Sequence, residues 1–186
     1  NIQKPWTAVW NGDIDQVITK FLQEVKKTYA NYLSDIKKGE ETLDDAGYIT
    51  TFSPDGSLLV LGGRSSGSPL LFSVNGNTVT YLSDIKKGEA ELTDFVRAAT
   101  FSPDGSLLVL GGMFSGYASL FSVSGNTVTY LSDITKDGVA LNNYVSGATF
   151  SPDGSLLVLS GNFDGMAALF SVSGTTVTYV ADITKS

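Results

Sequence analysis

The fold is decided by residues 51–63, which read TFSPDGSLLVLGG. The same letters return at residues 100–112 without change, and at residues 149–161 with one change, to Ser160. A second block, LFSV followed by a turn and TVTY, returns with the same period of 49 residues and begins at residues 71, 120 and 169. Self-similarity at this period predicts a tandem array of near-identical units.

Each unit has the pattern of four short strands joined by tight turns. In the middle copy we predict strands a to d at Val96–Phe101, Ser106–Leu110, Ala118–Val123 and Thr127–Ile134. The a–b turn reads Ser-Pro-Asp-Gly, in which proline presets φ and glycine accepts a positive φ. Strand d alternates between apolar and polar residues, whereas strand b is a continuous apolar run that suits a central strand. Each unit is therefore predicted to be an antiparallel meander.

Four antiparallel strands in every 49 residues is the spacing of propeller blades. The element FSPDGSLLVLGG resembles the a–b hairpin of WD40-like propeller repeats, and also the propeller-type repeats of bacteriophage tail and other virion proteins. The resemblance covers residues 48–185, although no Trp-Asp pair closes strand c and no Gly-His precedes the unit. We predict an all-β, β-propeller-like array of three four-stranded blades, with a linear β-solenoid as the alternative. The blades are assigned to residues 37–85, 86–134 and 135–186.

The N-terminal segment, residues 1–36, differs from the repeats. It is predicted to contain an amphipathic helix at residues 13–27, followed by a piece that resembles strand d, since Tyr32–Ile36 matches Tyr81–Ile85. The helix carries apolar residues with the 4-3-4 spacing of a short coiled-coil seam: Ile14, Ile18, Phe21 and Val25. This stripe suits either docking on the propeller or self-association of the chain.

Three blades are too few to close a ring, because propellers typically have 4 to 8. We therefore expect completion by a second copy, most simply in a homodimer, or by another subunit of an assembly. A longer array, of which these residues are a segment, is the remaining alternative.

Comparison of the three copies shows where the sequence varies. The a–b and c–d turns hardly change, whereas the b–c and d–a connections differ from copy to copy. Up-and-down strands place both varied connections on one face, which suits recognition by loops on a rigid scaffold. The predicted ligand- or partner-binding residues are Arg64, Phe114, Tyr117, Asn162, Phe163, Asp164 and Met166. Their aromatic, amide and charged groups suit sugar or protein recognition, and neutral variation of exposed loops is the alternative.

Composition excludes several classes of chemistry. The 186 residues contain no Cys and no His, which removes disulfides, thiolate nucleophiles and the commonest general base and metal ligand. A net charge of −7 argues against nucleic acid as a partner, and no apolar run is long enough for a membrane span. We predict no catalytic residues, no metal and no cofactor.

The sequence alone thus favours a non-enzymatic structural or interaction module of an extracellular or virion assembly, such as a tail or fibre component. A lectin-like propeller that binds a glycan or a protein at one site per blade is the alternative. An enzyme built on loop carboxylates is the third possibility. The expected location is extracellular or in a virion.

Overall fold

The computed structural model describes residues 18, 35–43, 47–63, 68–92, 95–112, 118–141, 144–163 and 165–184. At residues 41, 42, 47, 48, 162, 163, 165 and 166 it describes the backbone only. The chain divides into two compact units, residues 1–35 and 36–186. In the first unit the description is limited to Ile18, which is 49% exposed, and Asp35. The predicted helix, with Ile14, Phe21 and Val25, and the strand-like piece before Asp35 lie outside the described residues.

The second unit is built from three antiparallel sheets of four strands each, so the all-β prediction is confirmed. In every sheet the strands follow chain order, and we call the sheets blades 1, 2 and 3. Blade 1 consists of β3 (Gly47–Phe52), β4 (Leu58–Gly63), β5 (Leu70–Asn75) and β6 (Thr78–Asp84). Blade 2 consists of β9 (Val96–Phe101), β10 (Leu107–Gly112), β11 (Ala118–Ser124) and β12 (Thr127–Ile134). Blade 3 consists of β13 (Val145–Phe150), β14 (Leu156–Phe163), β15 (Gly165–Ser173) and β16 (Thr176–Ile183).

The connections that lead into the blades contain a feature that the sequence did not predict. Before blade 1, β1 (Lys37–Lys38) and β2 (Glu41–Thr42) pair as a small hairpin. Before blade 2, β7 (Lys86–Lys87) and β8 (Ala90–Glu91) form the same hairpin, and before blade 3 it is reduced to one bridge between Lys136 and Val139. We call these three elements the connector hairpins.

The a–b turns are held by a serine and aspartate network. Ser53 Oγ donates to Asp55 Oδ1 at 2.6 Å, and the Ser57 amide donates to the same oxygen at 3.0 Å. These hydrogen bonds lower the pKa of Asp55 to about 2, and the bond from Ser53 has the largest effect. Gly56 closes the turn with a φ of 73°. The recurring aspartate therefore serves turn geometry, because its carboxylate accepts the donors that the turn leaves unpaired.

The apolar core lies between the blades. Each blade has a trailing face, which packs on the next blade along the chain, and a leading face, which packs on the previous one. One cluster joins the trailing face of blade 1 to the leading face of blade 2, and the other joins blades 2 and 3 in the same way. A four-stranded sheet with two apolar faces needs such neighbours, because either face alone would remain in water.

Glycine sets the closest approach between blades. A methyl group on Gly62 would lie 2.9 Å from Val96 Cβ, and one on Gly111 would lie 2.7 Å from Val145 Cγ1. In both cases the valine begins strand a of the following blade. The glycine near the end of strand b in blades 1 and 2 is thus required by packing between sheets and not by a turn.

Candidate functional site

The blades present two different ends. The a–b and c–d turns share one end, which we call the turn face, and the b–c connections and the connector hairpins share the other, the connector face. This arrangement results from the antiparallel order of the four strands in each sheet. The strand ends that lead into the varied connections therefore lie at the connector face.

The structure places the predicted binding residues only in part. Arg64, Phe114, Tyr117 and Asp164 lie outside the described residues, and Asn162, Phe163 and Met166 are described by backbone alone. Phe163 pairs with Gly165, so strands b and c of blade 3 remain paired up to the connection between them. A contribution of these side chains to binding stays a prediction.

The described side chains of the connector face form a cluster that the sequence analysis missed. Lys38, from the first connector hairpin, donates to both carboxylate oxygens of Asp84 at 2.8 and 3.0 Å. Tyr81 donates its hydroxyl to the same carboxylate at 3.0 Å. The lysine nitrogen lies 5.4 Å from the centre of the Tyr81 ring, and that ring meets Phe72 edge-on at 5.8 Å. We call this arrangement a connector clamp.

The clamp recurs in each blade. Lys87 and Asp133 approach to 2.5 Å in blade 2, and Lys136 and Asp182 approach to 2.5 Å in blade 3. The lysine nitrogens lie 5.3 and 5.2 Å from the corresponding tyrosine rings, and the edge-on phenylalanine contact is also repeated. The signal was present in the sequence, because the three lysines recur at the 49-residue period. The aspartate at the end of strand d thus binds a lysine that precedes it by 46 residues.

The electrostatics of the clamp do not suit acid–base catalysis near neutral pH. The hydrogen bond to Asp84 raises the pKa of Lys38, and burial raises the pKa of Tyr81. Burial opposes ionisation of Asp84, but the bonds from Lys38 and Tyr81 outweigh it and lower that pKa. A general base or acid works best when its pKa lies near the working pH, and all three shifts lead away from it. The clamp therefore ties the connector to the outermost strand of the blade.

Among the described residues, open grooves lie on the turn face between neighbouring blades. The larger, between blades 2 and 3, has a volume of about 810 Å³ and is lined by the turns at Asp104 and Asp153. The smaller, between blades 1 and 2, has a volume of about 440 Å³ and is lined by the turns at Asp55 and Asp104. Their carboxylates are already occupied by serine donors of the same turn. The grooves thus repeat with the blades and reflect the spacing of the turns.

Among the described residues, no group of three or more carboxylates is arranged to hold a metal ion. Within the same part of the chain, no helix has the length and apolar character needed to cross a membrane.

Comparison with known proteins agrees with this geometry. The family described as "WD domain, G-beta repeat" matches residues 139–171, which begin in the third connector hairpin and run into strand c of blade 3. The structure of the RRP9 WD40 repeats superposes with a TM-score of 0.63 over 83% of this chain, at 14% identity. The chain is a β-propeller repeat protein. No curated protein matches its sequence, and the likeness to virion repeats is not confirmed.

Other similar structures are described as lactonases. A putative 6-phosphogluconolactonase from Bacteroides uniformis superposes with a TM-score of 0.61, at 25% identity over 80% of this chain. A periplasmic gluconolactonase from Pseudomonas aeruginosa has a TM-score of 0.58, at 16% identity over 75% of this chain. The β-propeller chain spans 44% of the first and 41% of the second.

These similarities correct two expectations from the sequence. The first was a non-enzymatic tail- or fibre-like module, with a lectin-like propeller as its alternative. The second was that the protein is not an enzyme. The lactonase-like propellers among its structural relatives contradict both, and none of these relatives is described as a virion component.

Proposed function

We propose that this chain supplies blades to a lactonase-type propeller that hydrolyses a sugar lactone at the connector face. The observation that carries the proposal is the similarity to the putative 6-phosphogluconolactonase, in which sequence identity reaches 25% in addition to the shared fold. The other lactonase-like structures support the fold alone, since their identities are lower.

The size of the match bears on how the active unit is built. The 80% of this chain that superposes corresponds in length to its three blades, and this portion covers 44% of the lactonase-like chain. Three blades in 44% of a chain correspond to about seven blades in the whole, within the range of 4 to 8 that closes a ring. In our proposal the catalytic ring therefore contains more blades than this chain provides.

The chemistry limits which residues carry the reaction. Hydrolysis adds a water oxygen to the lactone carbonyl and breaks the ring C–O bond, so it needs a base for the water and a donor for the ring oxygen. The chain has no His or Cys, and its clamp carboxylates are bound to lysines, so in our proposal these blades supply another carboxylate as the base. We assign this role to Asp164, and binding of an anionic substrate to Arg64, both in varied b–c connections.

The test is acid release from glucono-1,5-lactone and from its 6-phosphate, measured in weak buffer against the uncatalysed rate. The chain in its native oligomer should accelerate the reaction in proportion to its concentration. Asp164→Asn should lower kcat by about 10²-fold or more, the usual contribution of a positioned general base. Arg64→Ala should raise KM for the phosphorylated lactone more than for the neutral one, because it removes a binding charge.

A matched control is available in the same blade. Asp137 lies in the third connector hairpin with a φ of 52°, a conformation that asparagine accepts, so Asp137→Asn removes one carboxylate without strain. This variant should keep the wild-type rate. No acceleration by the wild-type chain, or equal losses in the Asp164 and Asp137 variants, would refute the proposal.

A further inference from the structure

Strand a of each blade carries a β-bulge close to its first residue. In blade 2 the ladder pairs Val96 and Ala98 with consecutive residues of strand b, so its register passes over Arg97. The bulges of blades 1 and 3 lie at the equivalent residues, Tyr48 and Ser146. Bulges occur preferentially beside active sites, because the extra residue bends the strand and redirects a side chain. The recurring bulge therefore marks a position to examine for binding.

Strand a is also the strand at which the blades converge. Neighbouring blades contact each other chiefly through strand a of one blade and strands a and b of the other, and we call this side the inner edge. The bulge is at the second residue of strand a, so it lies where the inner edge meets the connector face. The three bulge residues are tyrosine, arginine and serine. The position is thus polar in every blade and different in each.

Arg97 gives the inner edge a positive charge. Across strands a and b of the three blades, over the ranges that the structure describes, it is the single charged residue, and it is exposed. The clamp lysines lie further out, because each is bound to the aspartate at the end of strand d, and their charge is balanced there. The inner edge and the outer strands thus carry their positive charges separately.

A second arginine belongs to the same junction between blades 1 and 2. Gly62 of blade 1 packs against Val96 of blade 2, where a methyl group on the glycine would lie 2.9 Å from the valine Cβ. Arg97 follows Val96 directly. Arg64 follows Gly62 by two residues, which span at most about 7 Å of chain. The contact therefore holds the segments that lead to the two arginines at one junction.

The junction between blades 2 and 3 has the same contact between glycine and valine but no such charge. The residues that correspond there to Arg64 and Arg97 are Met113 and Ser146. Two neighbouring cations repel each other, and an anion bound between them offsets that repulsion. Guanidinium groups present paired donors that match the oxygens of a phosphate. The junction between blades 1 and 2 thus has the charge and the donors that a phosphate monoester requires.

We propose that Arg97 binds the phosphate group of the substrate, together with Arg64, and makes the site selective for a phosphorylated sugar lactone over a neutral one. The inference deepens the proposed function, on which the choice of ligand rests. Arg97 is a specificity-determining residue in this scheme. The phosphate on carbon 6 of the sugar is separated from the lactone carbonyl, so Arg97 takes no part in the bond-breaking step.

The test is calorimetric titration of the chain with 6-phosphogluconate and with gluconate, the products of the two lactones, which bind without turnover. The wild type should bind 6-phosphogluconate more tightly than gluconate. Arg97→Gln should raise the dissociation constant for 6-phosphogluconate at least about tenfold and leave that for gluconate unchanged, because it removes a charge-assisted contact to the phosphate. Arg97→Lys keeps the charge but loses the paired donors, so it should retain only part of the affinity.

Two variants provide matched controls. Ser146→Ala changes the same bulge position in blade 3, and Lys86→Gln removes an exposed cation from the connector hairpin of blade 2. Both should bind 6-phosphogluconate as the wild type does. No preference of the wild type for 6-phosphogluconate, or an equal loss of affinity in Arg97→Gln and Lys86→Gln, would overturn the proposal.

The titration also separates this inference from the hydrolytic activity. Binding of 6-phosphogluconate through Arg97 without hydrolysis of either lactone would refute the proposed function alone. Hydrolysis by the wild type with unchanged binding of 6-phosphogluconate by Arg97→Gln would refute the role of Arg97 alone.

Discussion

Replacement of Gly111 by alanine tests whether packing between blades holds the array together. The new methyl group would lie 2.7 Å from Val145 Cγ1, 2.9 Å from Val145 Cβ and 3.1 Å from Ala98 Cβ. Overpacking of this kind costs about 1–3 kcal/mol. Alanine restricts the unfolded chain more than glycine does, and this effect stabilises the folded protein by about 0.5–1 kcal/mol. We therefore expect a net loss of about 1–2 kcal/mol in the free energy of unfolding.

Urea denaturation followed by circular dichroism measures this loss, which should lower the midpoint without changing the slope. The companion variant Val145→Ala removes the closest atom. In the double variant, Gly111→Ala should cost at least about 0.5 kcal/mol less than in the wild type, because the two residues are in direct contact. Ser160→Ala is the control, since blade 3 already accommodates a β-carbon there. Wild-type stability of Gly111→Ala, or strict additivity with Val145→Ala, would refute the proposed close packing.

Three further perturbations test other parts of the structure. Phe121→Ala empties a fully buried site beside Tyr130 and should cost about 3–5 kcal/mol in urea denaturation; a loss below about 1 kcal/mol would contradict it. Ala168 holds the position in blade 3 that Ser119 has in blade 2, where the serine hydroxyl donates to Asp133. Ala168→Ser therefore places a hydroxyl near Asp182 Oδ1, which has no donor among the described residues. It should stabilise by about 0.5–1.5 kcal/mol, and a lower urea midpoint would count against it. The pKa of Asp153 is about 2, below the unfolded value of about 3.9, so its stabilisation is present above about pH 4 and disappears as the pH falls toward 2. Urea midpoints of Asp153→Asn should accordingly fall less steeply over that interval than those of the wild type, and parallel slopes would exclude the turn as a source of acid sensitivity.

The sequence predicted the blade correctly because the information is local. The four strands of the middle repeat lie within two residues of the predicted bounds, and the Ser-Pro-Asp-Gly turns form where proline and glycine require them. Alternation in strand d and the apolar run in strand b result directly from burial on one face or on two. Repetition then extended the assignment from one unit to three.

The connector clamp could be predicted only in part. Both partners recur with the 49-residue period: the lysines at Lys38, Lys87 and Lys136, and the aspartates at Asp84, Asp133 and Asp182. Nothing in the sequence states that a lysine pairs with an aspartate 46 residues later, because this depends on the path of the connector hairpin across the blade. The prediction of a non-enzymatic module was wrong for a related reason. Uniform repeats indicate a scaffold but not its function, and the same scaffold occurs in lactonase-like propellers.

The sequence by itself thus determined the meander, its turns and its number of copies, since these depend on residues near one another in the chain. Only the tertiary structure decided which glycines separate the sheets and which of several identical residues are buried. Phe52 and Phe101 have the same sequence around them and differ from 57% to 7% in exposure. The physical reason is that burial belongs to a pair of surfaces, and a repeat specifies its own surface but not the one that covers it.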